Sequence, residues 1–277
     1  GIGVLTAIHD YTYSYPFSYL DMVYTQSDHI IYSVDFMLQK NKIDYPDVDM
    51  SKVSIIPQGL YQTDLLKVNK KELGEQTRKK LNIPSDAFVV FGCGSIKPIK
   101  GVDVFVNTAI EVISAAPIGK EIHFVWLGGY LRSNSNDMYT RFLHRDIVNT
   151  NTQNYIHFIE KDSAVEKYFS IADLFLLSSR EDPFPSVVIE SMTLGIPVIA
   201  IEGSTGSAEL IKASGNFLVD YSNRASLSPK IIELIENPHL LREASENGRH
   251  IIQENYQFSE YVKSITHIIN DKFYLQI

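Results

Sequence analysis

Two carboxylates, Asp182 and Glu190, stand eight residues apart in EDPFPSVVIESMTLGIPVIA (181–200), with Pro183 and Pro185 between them and an apolar run behind. Carboxylates accept hydrogen bonds from hydroxyls, and a turn that feeds a helix presents unpaired backbone N–H groups that favour anions. Together they suit a ligand carrying both sugar hydroxyls and phosphates. The same acids also have an ordinary reading, with Glu190 eased by a helix dipole and Asp182 an exposed turn residue.

Other segments carry chemistry of the same kind. FVVFGCGSIKPIKGVDVF (88–105) reads as a strand, a glycine loop and a helix, with Gly92, Gly94, Ser95, Lys97 and Lys100 along it. Glycines there let a backbone approach a ligand closely, and two ammonium groups offset a diphosphate, although a solvated lysine pair explains them equally. GSTGSAEL (203–210) is a second glycine loop, in which Thr205, Gly206 and Ser207 offer hydroxyl and N–H donors, or in which Ser207 simply caps a helix. His9 follows the apolar run VLTAIH, where an imidazole either manages a proton or packs. Two short matches lack their context. Asp47-Val48-Asp49 has the D-x-D pattern of a metal site but lies in a polar connector, and His144-Arg145-Asp146 lacks the other kinase signatures. No His/Cys cluster has zinc spacing, so no metal ligands are assigned.

These residues need elements to hold them. Short apolar runs at 4–9, 30–34, 53–57, 88–92, 122–128, 155–159, 174–179, 197–201 and 216–220 alternate with helix-length segments such as 66–81, 104–116 and 227–237. That alternation predicts an α/β fold with parallel sheets covered by helices. Ser186 is expected to cap a helix reaching about Leu194, with Gly195 closing it and Pro197 preventing continuation. Six strands from Phe88 to Asp220 make one complete doubly wound, Rossmann-like domain, with both acids at the carboxyl end of its sheet, where such folds bind ligands. The breaker Ile56-Pro57-Gln58-Gly59 separates it from a trailing part of a second α/β domain. The expected division is 1–57, 58–255, and a terminal helix over 256–277.

The 277 residues are 44% hydrophobic and 21% charged, ordinary globular composition. A formal charge of -8 argues against a nucleic-acid partner. The one cysteine, Cys93, has no internal partner, and with no sequon or secretory signal the expectation is a reducing cytoplasm. No apolar run is long enough to span a membrane. The chain opens on Gly1 without methionine, directly before a strand-like run, as expected of a piece of a longer protein whose unpaired strand edges would favour self-association.

SREDPFPSVVIESMTLGIPVIA resembles the E-x7-E segment of the family 4 glycosyltransferases, and nearly the whole chain shares the likeness. The resemblance implies the GT-B fold and transfer of a sugar from a nucleotide diphosphate sugar to an acceptor hydroxyl, with retention and without an essential metal. It implies no cofactor beyond the donor substrate. By the same resemblance Glu190 would hold the donor ribose and Asp182, standing where the family has glutamate, would contact the donor sugar. Backbone amides of the turn around Phe184, Pro185, Ser186 and Val187, the proline itself offering no N–H, would meet sugar or phosphate, and Lys100 before Gly101 would meet the diphosphate. The family's arginine position holds Ser95, so the clamp is partial unless Lys97 substitutes. Thr205 and Gly206 would lie by the phosphates, Ile159 and Lys161 by the base, and His9 at the cleft. IIPQGLY resembles the interdomain hinge, and the last helices would cross back onto the first domain. The acceptor would be a glycan, a lipid-linked molecule or a small molecule, with the absent start of the acceptor domain as a further partner and peripheral contact with the inner membrane face allowed. A binding module without turnover, or a nucleotide-sugar epimerase, remains the alternative.

Overall fold

A computed structural model describes residues 3–9, 17–60, 69–131 and 137–274. Elements alternate along the chain as β1 (Leu5–Ile8), α1 (Phe17–Gln26), β2 (His29–Tyr32), α2 (Asp35–Asp44), β3 (Val53–Ile55), α3 (Lys70–Leu81), β4 (Phe88–Cys93), α4 (Val102–Ser114) and β5 (Ile122–Leu127). They continue as α5 (Met138–Asn149), β6 (Ile156–Ile159), α6 (Glu166–Phe169), β7 (Leu174–Leu177), α7 (Ser186–Thr193), β8 (Val198–Ile201), α8 (Ala208–Ala213), β9 (Phe217–Val219), α9 (Leu227–Glu236), α10 (Pro238–Asn255) and α11 (Phe258–Ile269). Each apolar run named from the sequence overlaps one of the nine strands found among the described residues. All pairings are parallel.

Two sheets result, one ordered β1-β2-β3 and the other β6-β5-β4-β7-β8-β9. The larger sheet grows one way from β4 through β5 to β6 and the other way from β7 through β8 to β9, so its order reverses between β4 and β7. Those two strands pair through Val90 with Leu174 and Phe91 with Phe175. Loops leaving adjacent strands at such a reversal diverge to opposite faces and open a crevice at their carboxyl ends.

Both faces of this sheet are covered, which is why its strands read as nearly unbroken apolar runs. Val89, Phe91, Val125, Phe175 and Val198 pack on one side with α6, α7 and α8, whereas Val90, Phe124, Trp126, Leu176 and Ile199 pack on the other with α4, α5 and α9. The smaller sheet has a modest core of Ile30, Tyr32, Met37 and Leu38.

Helix ends depart from expectation for local reasons. The helix expected over 104–116 starts two residues sooner, because Gly101 takes a left-handed φ of 62° and turns the chain directly into it. The one expected from 66 starts at Lys70, where the Asn69 side chain accepts from the Glu72 amide; residues 66–68 lie outside the described set.

The chain passes between the two sheets twice. Leu60 N–H donates to the Tyr256 carbonyl at 2.9 Å, Leu60 bridges Gln257, and a Cβ on Gly59 would fall 2.6 Å from the Gln257 and Phe258 backbone. Beyond α11 the chain returns to the first strand, where Phe273 lies so close that a Cβ on Gly3 would meet its ring at 2.0 Å.

Candidate functional site

The corner after β7 builds the centre of the site. The Asp182 N–H donates to the Ser204 carbonyl at 2.8 Å and the Gly206 N–H to the Asp182 carbonyl at 3.1 Å, so the corners after β7 and β8 are bridged. A Cβ on Gly206 would come within 1.9 Å of the Pro183 carbonyl oxygen, so only glycine permits this approach. Held there, Asp182 is 6% exposed rather than an exposed turn residue. Its carboxylate accepts from Lys100 Nζ at 2.7 Å and from Ser179 Oγ at 3.1 Å.

Pro185, not Ser186, is the residue before the first turn of α7. Ser186 enters the helix and its hydroxyl serves Glu190 one turn on, instead of capping the backbone. Glu190 therefore sits in the second turn, not the first, and is 9% exposed. Burial raises its pKa above the usual glutamate value, and the Ser186 hydrogen bond opposes that only in part. Gly195 follows the helix with φ 68°, in the closing position expected of it.

Cys93 at the end of β4 shows how the charged groups converge. Burial first, then the nearby Glu190 and Asp182 carboxylates, push its thiol up to about 12 against the opposing Lys100 ammonium. Lys100 and Asp182, in contact at 2.7 Å, and Glu190 thus all lie close enough to act on Cys93, at the reversal between β4 and β7.

The loop bearing Lys100 is sewn to the β7 corner. Ser178 Oγ donates to the Lys100 carbonyl (3.2 Å), the Arg180 N–H to the Ile99 carbonyl (2.9 Å) and Arg180 Nη1 to the Pro98 carbonyl (2.6 Å). The Arg180 guanidinium also grips both Asp103 oxygens at 2.8 and 2.6 Å, and Tyr139 Oη donates to Asp103 Oδ1 at 2.7 Å. A Cβ on Gly101 would lie 1.8 Å from the Ser178 carbonyl oxygen. Gly94 closes the loop's other end, its carbonyl accepting from Trp126 Nε1 at 2.9 Å. Ser95 and Lys97 are exposed at the rim. Sequence reasoning missed Ser179, Arg180, Asp103 and Tyr139; the arginine beside the acid was visible, but its partner lies far away along the chain.

Several expected donors have other duties. The Gly206 amide is taken by Asp182, and the Ser207 amide donates to Thr205 Oγ1 at 3.1 Å. Thr205 and Ser207 are both fully buried, so this loop is first a structural corner; Ser207 Oγ alone is left there without a partner. Ile159 spends its carbonyl on the Gly128 and Gly129 amides, both at 2.9 Å, which leaves exposed Lys161 as the accessible part of the expected base segment. Phe184 is buried, and its carbonyl accepts from Gln58 Nε2 at 2.9 Å, tying the site to the interdomain connection.

His9 lies at the carboxyl end of β1, where its Nδ1 meets Ser33 Oγ at 3.2 Å. Residues 10–16, which follow it, fall outside the described residues. Next to Ser33, Val34 faces the corner after β8, since a Cβ on Gly206 would come 2.6 Å from Val34 Cγ2. Of the two misleading matches, Asp49 accepts from the Ser51 amide at 3.0 Å and starts a short turn, and His144 to Asp146 lie on α5.

Residues 74–251 match the family model described as Glycosyl transferases group 1. Among curated relatives, the chain is 26% identical over 180 residues to alpha-galactosylglucosyldiacylglycerol synthase of Streptococcus pneumoniae, covering 64% of this chain and 44% of that protein. It is 28% identical over 206 residues to the O-antigen biosynthesis glycosyltransferase WclY of Escherichia coli, covering 71% and 53%. The chain therefore spans about half the length of these relatives. Among solved structures, HepE of Anabaena in complex with UDP and glucose superposes with a TM-score of 0.80 at 18% identity, covering 97% of this chain and 72% of that one. WaaG, a glycosyltransferase involved in lipopolysaccharide biosynthesis, superposes with a TM-score of 0.76 at 17% identity, covering 95% and 74%. The GT-B-like α/β fold expected from the sequence is the fold of these structures.

Proposed function

The chain belongs to the group 1 glycosyl transferases, and on that premise we propose that it carries the donor site of an enzyme moving a sugar from a nucleotide diphosphate sugar to an acceptor hydroxyl with retention of configuration. The observation that carries this reading is the convergence of Lys100, Asp182 and Glu190 at the sheet reversal between β4 and β7. Solved neighbours that hold UDP or UDP-glucose support the donor class.

In this reading Glu190 accepts hydrogen bonds from the ribose hydroxyls and Asp182 from the donor sugar. Lys100, with Lys97 from the rim and the amino end of α7, stabilises the charge gathering on the departing diphosphate. These groups meet that charge without a resident metal. His9, across the cleft, orients the donor sugar or the attacking hydroxyl so that attack comes from the side the nucleotide leaves. Lys161 and its neighbours border the base. Residues 1–57 act on the acceptor side, 58–255 hold the donor, and 256–277 return to the first part. The acceptor is a glycan or a lipid-linked sugar, as the glycolipid and O-antigen relatives suggest. No helix among the described residues is long and apolar enough to cross a membrane; the reading places the enzyme in the cytoplasm, in peripheral contact with the membrane where its acceptor is lipid-linked.

The test is thermal unfolding with UDP, GDP, dTDP and ADP and their sugars, on wild type and on Glu190→Ala. A ligand at 100 times its dissociation constant adds about 2.7 kcal/mol. One base should stabilise the wild type and not the variant. No shift with any nucleotide in a folded chain would remove the reading.

A further inference from the structure

We infer that Asp182 and Lys100 form an exchangeable ion pair that makes the site favour a sugar-bearing nucleotide over the free nucleoside diphosphate that transfer leaves behind. The inference deepens the donor-site reading above and rests on it.

The pair is asymmetric. The Lys100 side chain is 31% exposed, whereas that of Asp182 is 8% exposed. Lysine carries its ammonium on a flexible stem, so it can turn toward an arriving diphosphate. Asp182 cannot follow. Its backbone is pinned to Ser204 and Gly206, and its short side chain keeps the carboxylate inside the corner beside Ser179.

Once Lys100 turns away, the buried carboxylate retains the Ser179 hydroxyl and stands near a group of like charge. Leaving a buried charge without its partner is costly. Hydroxyls of a donor sugar supply new hydrogen-bond donors to that carboxylate; a nucleoside diphosphate supplies none. The substrate therefore completes the exchange, and the product leaves it half made. Tight retention of product is opposed by the residue that receives the substrate.

The experiment is titration calorimetry of the full chain with UDP and UDP-glucose, or with GDP and GDP-mannose where the guanosine pair binds. The ratio of the two dissociation constants is compared in wild type, Asp182→Asn and Asp182→Glu. Asparagine keeps the shape and can still accept a hydrogen bond, but it carries no charge. It should tighten the diphosphate and reduce the preference for the sugar nucleotide about tenfold, while glutamate should keep the preference. An unchanged ratio in a folded Asp182→Asn, with both ligands binding, would overturn the exchange and leave the donor site standing. If no nucleotide binds the folded wild type, both fall. Should Asp182→Asn fail to fold, Lys100→Gln decides: comparable weakening of both ligands supports the exchange, and loss confined to the sugar nucleotide overturns it.

Discussion

Glu190 illustrates a residue whose presence the fold resists. Its raised pKa has a definite sign: the native state holds the proton more tightly than the unfolded chain, so stability falls as pH rises from the unfolded value through the native one. Glu190→Gln should therefore stabilise the ligand-free protein at neutral pH by about 0.5–2 kcal/mol, seen as a higher melting temperature, while abolishing nucleotide-dependent stabilisation. Unfolding scans with and without nucleotide test both halves, and a variant that melts lower without ligand contradicts the first. Donor affinity of the wild type should increase as pH rises through the native pKa, because the ionised acid is the better hydrogen-bond acceptor. Gly101 makes an opposite case. With φ at 62° and a Cβ position 1.8 Å from the Ser178 carbonyl oxygen, Gly101→Ala should cost about 2–4 kcal/mol, measurable by urea unfolding. The sequence marked both positions, yet not their reasons. Ser186 looked like a cap, and it became a first-turn residue because extended Pro185 already occupies the capping position.

At the scale of elements, Arg180 joins the loop before α4 to the corner after β7. Removing it in Arg180→Ala frees the Pro98 carbonyl and Asp103 Oδ2, leaves Asp103 Oδ1 to Tyr139, and should weaken nucleotide binding about tenfold with little change in far-ultraviolet circular dichroism. Retained affinity would mean that Ser178 and the Ile99 pairing suffice to place Lys100. A second pair of elements predicts acid sensitivity. His123 Nδ1 lies 2.8 Å from His157 Nε2, and His123 Nε2 lies 2.9 Å from Glu121 Oε1, where β5 and β6 begin. Burial, and then the neighbouring His123, lower His157 to about 4, while His123 is lowered by burial against the raising effect of Glu121. The unfolded chain then binds protons that the native state does not, so stability should drop between about pH 6.5 and 4, by up to about 3 kcal/mol. His157→Phe should flatten that slope in unfolding measured across the range. Elements themselves were legible because burial on both faces of a sheet writes itself as apolar runs. Contacts between them were not: Lys100 meets Asp182 across 82 positions of chain, and Arg180 meets Asp103 across 77, where no local spacing records the pairing.

For the whole molecule, the sheets differ in how well they are buried. Among the described residues the β1-β2-β3 sheet rests on a cluster of four buried core side chains, against two extensive clusters flanking the larger sheet. Amide hydrogen exchange should therefore release β1 to β3 first and protect β4, β5 and β7 longest; uniform protection would show that the two parts unfold together. The sequence announced this division through its breaker at Pro57 and the uneven supply of strands. The resemblance pointed to a hinge at IIPQGLY and to last helices that cross back, but the pairing of Leu60 with Gln257 was not legible, because the two residues lie almost two hundred positions apart along the chain. That double crossing has a mechanical meaning. A single linker behaves as a ball joint, free to swing about several axes, whereas two adjoining strands fastened side by side act as the paired leaves of a door hinge. Any movement of one part against the other should then follow one arc, so that His9 keeps a single path relative to the Asp182 corner.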